Sequence, residues 1–115
     1  MKKIMTAREL FNYIQSFDKI IASVGEEANG FYTMMRASKV KLGKMNGIPC
    51  ISGNILKTGV KKQELRNGGF SMSGDSFTCD IVEKSKNHHL LTVTSNKLSF
   101  PVRLELQKVE LPPEE

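Results

Sequence analysis

From Thr6 to Val24 the apolar residues Leu10, Ile14, Phe17, Ile21 and Val24 recur at alternating steps of four and three. That spacing stacks side chains along one face of an α-helix. The segment opens on a capping box, in which the Thr6 hydroxyl accepts from the Glu9 amide and the Glu9 carboxylate reaches back. Met5 and Leu10 stand where a hydrophobic staple closes that end, and Gly25 is a natural stop. At about 1.5 Å per residue, a helix over Thr6–Val24 spans roughly 27 Å and covers a small sheet. Met1–Met5 reads as a short first strand running straight into it.

The remainder reads mainly as strand and turn. Phe31–Met35 begins a strand, and Lys39-Val-Lys-Leu42 continues the alternation, with Val40 and Leu42 inward and Lys39 and Lys41 outward. Asn46-Gly47 predicts a tight hairpin into Ile48–Ser52. Pro49 lacks an amide hydrogen, which predicts an edge strand or a bulge. The stretch from Gly53 to Arg66 fits neither period, Asn67-Gly68-Gly69 predicts a turn, and Phe70 and Met72 share one side of a short strand. Ser73 to Lys86 reads two ways. Alternating Phe77, Cys79 and Ile81 favour a strand, whereas Asp75 at a helix N-terminus would turn Phe77, Ile81 and Val82 inward. Leu90–Thr94 and Leu98–Leu106 form a hairpin over Ser95-Asn96-Lys97, and the terminal Pro112-Pro113-Glu114-Glu115 reads as a disordered tail.

These elements predict an α+β protein in which the N-terminal helix packs on a mostly antiparallel β-sheet. One domain covers 1–111, with 112–115 as the tail. A chain of 115 residues with 39% hydrophobic and 25% charged residues holds a core without staples. No apolar run approaches membrane-span length, and Met1–Met5 is too short and polar for a signal peptide. A cytoplasmic protein with no membrane partner is expected. Cys50 and Cys79, isolated in apolar surroundings, then read as buried free thiols.

Charge changes the picture more. The net charge is +5, and no acid occurs between Glu27 and Glu64, where Arg36, Lys39, Lys41, Lys44, Lys57, Lys61 and Lys62 all fall. A basic middle followed by acids near the end implies a surface that meets a polyanion. On the predicted helix, Arg8, Asn12, Gln15, Lys19 and Ser23 centre the face opposite the apolar stripe. At about 100° per residue, Arg8 and Lys19 fall within roughly 20° of each other. Such a face suits a phosphate backbone read without sequence preference. The absence of Trp and of any ribonucleoprotein-type aromatic motif favours backbone contact over base stacking.

No catalytic constellation appears. His88-His89 are adjacent and point to opposite faces if they lie on a strand, and neither they nor the cysteines have metal-ligand spacing. Gly53-Asn-Ile-Leu-Lys-Thr-Gly59 shares only composition with a phosphate loop, and Gly69-Phe-Ser71-Met-Ser73 lacks the last glycine of a nucleophile elbow. A non-catalytic protein with no cofactor and no metal is the expectation.

The chain resembles one domain of a DNA sliding clamp, the ring-shaped processivity factor of replicative polymerases. The matching stretches are Met1 to Glu27, with Thr6-Ala-Arg-Glu-Leu-Phe-Asn-Tyr-Ile entering a helix, and Phe70-Ser-Met-Ser-Gly-Asp-Ser-Phe-Thr-Cys-Asp-Ile-Val-Glu-Lys84. Leu90 to Phe100 is similar to the family's hairpin, and Glu110-Leu-Pro-Pro-Glu to its domain-ending segment. The resemblance implies a second helix at Asp75–Lys84 and a first helix whose polar face meets DNA. Because a clamp subunit carries two or three such domains, it also implies a homo-oligomer. A shorter stretch, Gly47-Ile-Pro-Cys-Ile-Ser-Gly-Asn-Ile-Leu-Lys57, resembles the glycine loop of RNA-binding backbone subunits of CRISPR complexes.

The expected function is therefore a nucleic-acid-associated, clamp-like DNA-binding or processivity role in DNA replication, with DNA preferred to RNA. The contact residues expected are Arg8, Lys19, Arg36, Lys39, Lys41, Lys57, Lys61 and Lys62. The contrasting class is a small adaptor or inhibitor whose basic face meets an acidic partner protein.

Overall fold

The computed structural model describes residues 1–24, 32–55 and 68–110. Strand β1 (Lys2–Thr6) runs directly into helix α1 (Ala7–Gln15). Thr6 has extended backbone (φ −69°, ψ 166°), and both halves of the capping box form: the Glu9 amide donates to Thr6 Oγ1 at 3.1 Å, and the Thr6 amide donates to Glu9 Oε1 at 3.0 Å. Met5, Leu10 and Ile14 are buried.

The helix is shorter than its apolar spacing predicts. It ends at Gln15, capped at Ser16, and β2 (Lys19–Val24) replaces its second half. The Asp18 amide donates to the Gln107 carbonyl at 2.9 Å, drawing the chain into a sheet as soon as it leaves the helix. From there the period is two: Ile20 and Ala22 are buried, while Ile21 is half-buried. Residues 19–24 satisfy two periods at once. β-Branched Ile20, Ile21 and Val24, with a ladder available on both sides, decide for the strand.

The larger sheet has six antiparallel strands in the order β1-β7-β8-β9-β2-β3, with β3 at Tyr32–Arg36, β7 at Ser76–Ser85, β8 at His88–Thr94 and β9 at Val102–Gln107. It is open, and β1 and β3 lie at its edges. In β7, Phe77, Cys79 and Ile81 are buried while Thr78, Asp80 and Val82 are exposed. The strand reading of this segment therefore holds, and the helix over Asp75–Lys84 implied by the clamp resemblance is absent. The β8–β9 connection is longer than predicted, because β9 begins at Val102, just after Pro101.

A 3-10 turn at Ala37–Lys39 carries the chain from β3 into a second sheet of order β4-β5-β6. Lys39 thus ends a turn instead of continuing one alternating strand. Ala37 is buried, and its amide donates to the Asp18 carbonyl at 2.9 Å. Strands β4 (Val40–Met45) and β5 (Ile48–Ile55) meet through Asn46 (φ 52°) and Gly47 (φ 80°), the left-handed pair of a type I′ turn that Asn-Gly predicts. β5 is the central strand of its sheet, so Pro49 is not on an edge strand. Pro49 sits just beyond the last β5–β6 pair, Cys50–Ser73, where its carbonyl accepts from the Gly74 amide at 3.0 Å and no ladder partner requires its missing donor. Gly68 and Gly69, expected in a turn, are the first residues of β6 (Gly68–Ser73).

One contiguous core joins the two sheets and the helix. α1 lies against β1, β4, β5 and β7, while β5 and β6 approach β3 and β2. Phe70 and Met72, on one side of β6 as predicted, both enter this core. Gly53 makes the approach close: a Cβ there would stand 2.5 Å from Met35 Sδ and 2.8 Å from Phe70 Cε1. The small sheet and α1 thus cover the inner face of the large sheet.

Candidate nucleic-acid interface

The sequence grouped Arg8 and Lys19 on one helix face; the structure separates them. Arg8 is exposed in the first turn of α1. Beside it, the Glu9 carboxylate is occupied by Thr6, whose backbone and hydroxyl hydrogen bonds hold it below the usual carboxylate range. Lys19 opens β2 and stands opposite Arg36, the last residue of β3. By strand alternation both belong to the outer face of the large sheet, with half-buried Ile21 and exposed Met34.

The middle of the chain supplies cations on elements that adjoin α1. Lys39 is exposed at the end of the 3-10 turn, and Lys41 and Lys44 are exposed on β4, an edge strand of the small sheet. α1 packs against both elements, and its last residue fastens them: Gln15 Nε2 donates to the Ala37 carbonyl at 2.6 Å. Arg8, Lys39 and Lys41 therefore lie on adjoining elements, Lys19 and Arg36 form a separate cross-strand pair, and Lys57, Lys61 and Lys62 fall outside the described residues.

At the far end of α1 lies an open cleft of about 670 Å³, bordered by Gln15, Asp18, Arg36, Ser38, Lys108 and Glu110. Lys108 Nζ sits 5.5 Å from the centre of the Phe17 ring. Sequence reasoning passed over Lys108 because it follows the last strand with no motif around it; only its place over Phe17, a residue far away in sequence, marks it. With two acids and two bases on its rim, this cleft is less suited to a polyanion than the β4 edge.

The adjacent histidines do split to opposite faces of β8. His88 Nε2 meets Glu105 Oε1 at 2.6 Å on the outer face. On the inner side, His89 Nδ1 contacts the Tyr13 hydroxyl, and its ring stacks edge-on to Phe17 at 5.0 Å between centroids. Burial, with the nearby Glu83 charge, raises the Tyr13 phenol above its ordinary value. Each histidine thus has a structural partner, and the described residues contain no group of three or more His, Cys, Asp or Glu that could hold a metal. Cys50 and Cys79 are both unpaired and buried. No helix among the described residues is long and apolar enough to cross a membrane.

No protein-family model, curated protein or solved structure matches this chain.

Proposed function

We propose that this is a non-catalytic nucleic-acid-binding protein that grips the phosphate backbone along the α1–β4 surface. The observation that carries the proposal is the placement of exposed Lys39, Lys41 and Lys44 on and just before an edge strand, beside a helix that presents Arg8. Cations on a rigid strand and helix release counterions when they meet phosphates, and they read the backbone rather than base edges. Glu9, which follows Arg8 in the chain, is engaged in the helix cap. DNA is the proposed ligand in preference to RNA, and a processivity role of the clamp type, with several copies joined at sheet edges, belongs to the same proposal. The test is titration of a labelled duplex at increasing salt. Weak binding that falls steeply with salt is expected, and absence of binding at low salt overturns the proposal.

A further inference from the structure

Asn46 is the one non-glycine residue with positive φ among the described residues, at 52°, and Gly47 follows at 80°. Both are exposed at the tip of the β4–β5 hairpin. The ladder closes on the pair Met45–Ile48, so the Gly47 amide lies outside its register. Even a Cβ placed on Gly47 would meet nothing within 4 Å, which leaves this peptide group open to water and base. Lys44, two residues earlier, is exposed as well, and a positive charge there favours an anionic nitrogen in the turn.

We propose that Asn46 is a site of spontaneous deamidation, whose products loosen the hairpin and weaken the α1–β4 surface. Base removes the Gly47 amide proton, and the nitrogen attacks Asn46 Cγ as the hairpin tip opens. The N–Cγ bond forms, the Cγ–Nδ2 bond breaks, and ammonia leaves with a proton, giving a cyclic succinimide. Water then opens the ring. Cleavage of the N–Cγ bond yields aspartate, and cleavage between that nitrogen and the Asn46 main-chain carbonyl carbon yields isoaspartate. The net change consumes a water and releases ammonia, with no oxidation or reduction. Isoaspartate routes the backbone through Cγ, lengthening a two-residue turn whose closure depends on left-handed φ at both positions. Either product puts a carboxylate two residues from Lys44, at the end of the edge strand that also carries Lys41. The loss of phosphate contact rests on the nucleic-acid reading above; the modification does not.

The test is incubation of the full chain in mild alkali, followed by tryptic peptide mass spectrometry, thermal melts and duplex titration. The peptide Met45–Lys57 should gain the amide-to-acid mass difference at Asn46 well before Asn54, whose branched successor Ile55 hinders the same attack. Asn29-Gly30 and Asn67-Gly68, whose asparagines lie outside the described residues, fall in other peptides. Aged protein should melt lower than fresh protein and bind duplex about threefold more weakly. Asn46→Gly, which keeps a Gly-Gly turn, should change in neither respect under the same treatment. Retention of the Asn46 amide, conversion no faster than at Asn54, or equal losses in the glycine variant overturn the proposal. If fresh protein binds no duplex, the nucleic-acid reading and the weakening of its surface fall together, while mass and melts still decide the modification.

Discussion

Lys19 and Arg36 are direct cross-strand partners at the end of the β2–β3 ladder, two cations side by side on an open sheet face. Like charges placed directly opposite on neighbouring strands destabilise a sheet. Lys19→Glu should therefore raise stability by about 0.2–1 kcal/mol, read from urea unfolding. Nucleic-acid affinity should change less than for a charge reversal on α1 or β4, since Lys19 belongs to the outer face of the large sheet. A fall in stability would mean that the pair is not adjacent in solution.

The change from helix to strand after Gln15 has its own signature. Ile20 is fully buried while Ile21 lines the shallow outer concavity. Ile20→Ala should cost about 2–5 kcal/mol, and Ile21→Ala under about 1.5 kcal/mol. Denaturant unfolding of the two variants checks this. A helix through Val24 would reverse the order, because its apolar stripe contains Ile21 and not Ile20.

The same segment shows what was legible in the chain. Wherever local chemistry had one solution, the residues announced it: Thr6 and Glu9 form their capping box, Asn46-Gly47 turns a hairpin, and Phe77, Cys79 and Ile81 alternate into the core. Residues 19–24 fit both periods, and the choice was made by β9, more than 75 residues away, whose Gln107 carbonyl takes the Asp18 amide. Pro49 misled for a related reason: its sheet position depends on where β6 stops pairing, which is invisible locally. The candidate site inherited the error at Lys19, since the face assigned to a basic residue is only as good as the period assigned to its segment. Lys39 and Lys41 survived as exposed residues because polarity alone places them outside.

At Gly53 the small sheet packs tightly against Met35 of the large one. Gly53→Ala should destabilise by about 1–3 kcal/mol through overpacking against Met35 and Phe70. A thermal melt of this variant, beside the exposed Gly43→Ala control, reads the effect. Equal melting temperatures would show that the sheets are not in close contact.

Cys79 is fully buried, and burial pushes its thiol from 9.0 up to about 11. A raised thiol pKa leaves folding stability intact below the unfolded value and removes it as pH rises toward the folded one. Stability should thus fall between pH 9 and about 11, by roughly 2–3 kcal/mol at about 1.36 kcal/mol per unit. Cys79→Ala, less stable at neutral pH, should lose less over that window in parallel melts. The same alkaline loss in both proteins would assign it to other groups.

Strands β1 and β3 end the large sheet, and β1 carries Ile4, 72% exposed. Edge strands are templates for pairing with another chain. The protein should form homo-oligomers through these edges, with a mass by light scattering that rises with concentration. A monomer at every concentration contradicts a clamp-type assembly.

The most direct test of the nucleic-acid proposal is duplex binding by fluorescence anisotropy across a salt series, comparing the unaltered protein with Arg8→Glu/Lys41→Glu. Both side chains are exposed, and a carboxylate in the first turn of α1 is neutral or favourable by up to about 1 kcal/mol, so the variant should melt normally. Losing two phosphate contacts should weaken binding at least tenfold and flatten the slope of log affinity against log salt by about 2. Unchanged affinity and slope in the double variant would contradict a phosphate-binding surface on α1 and β4.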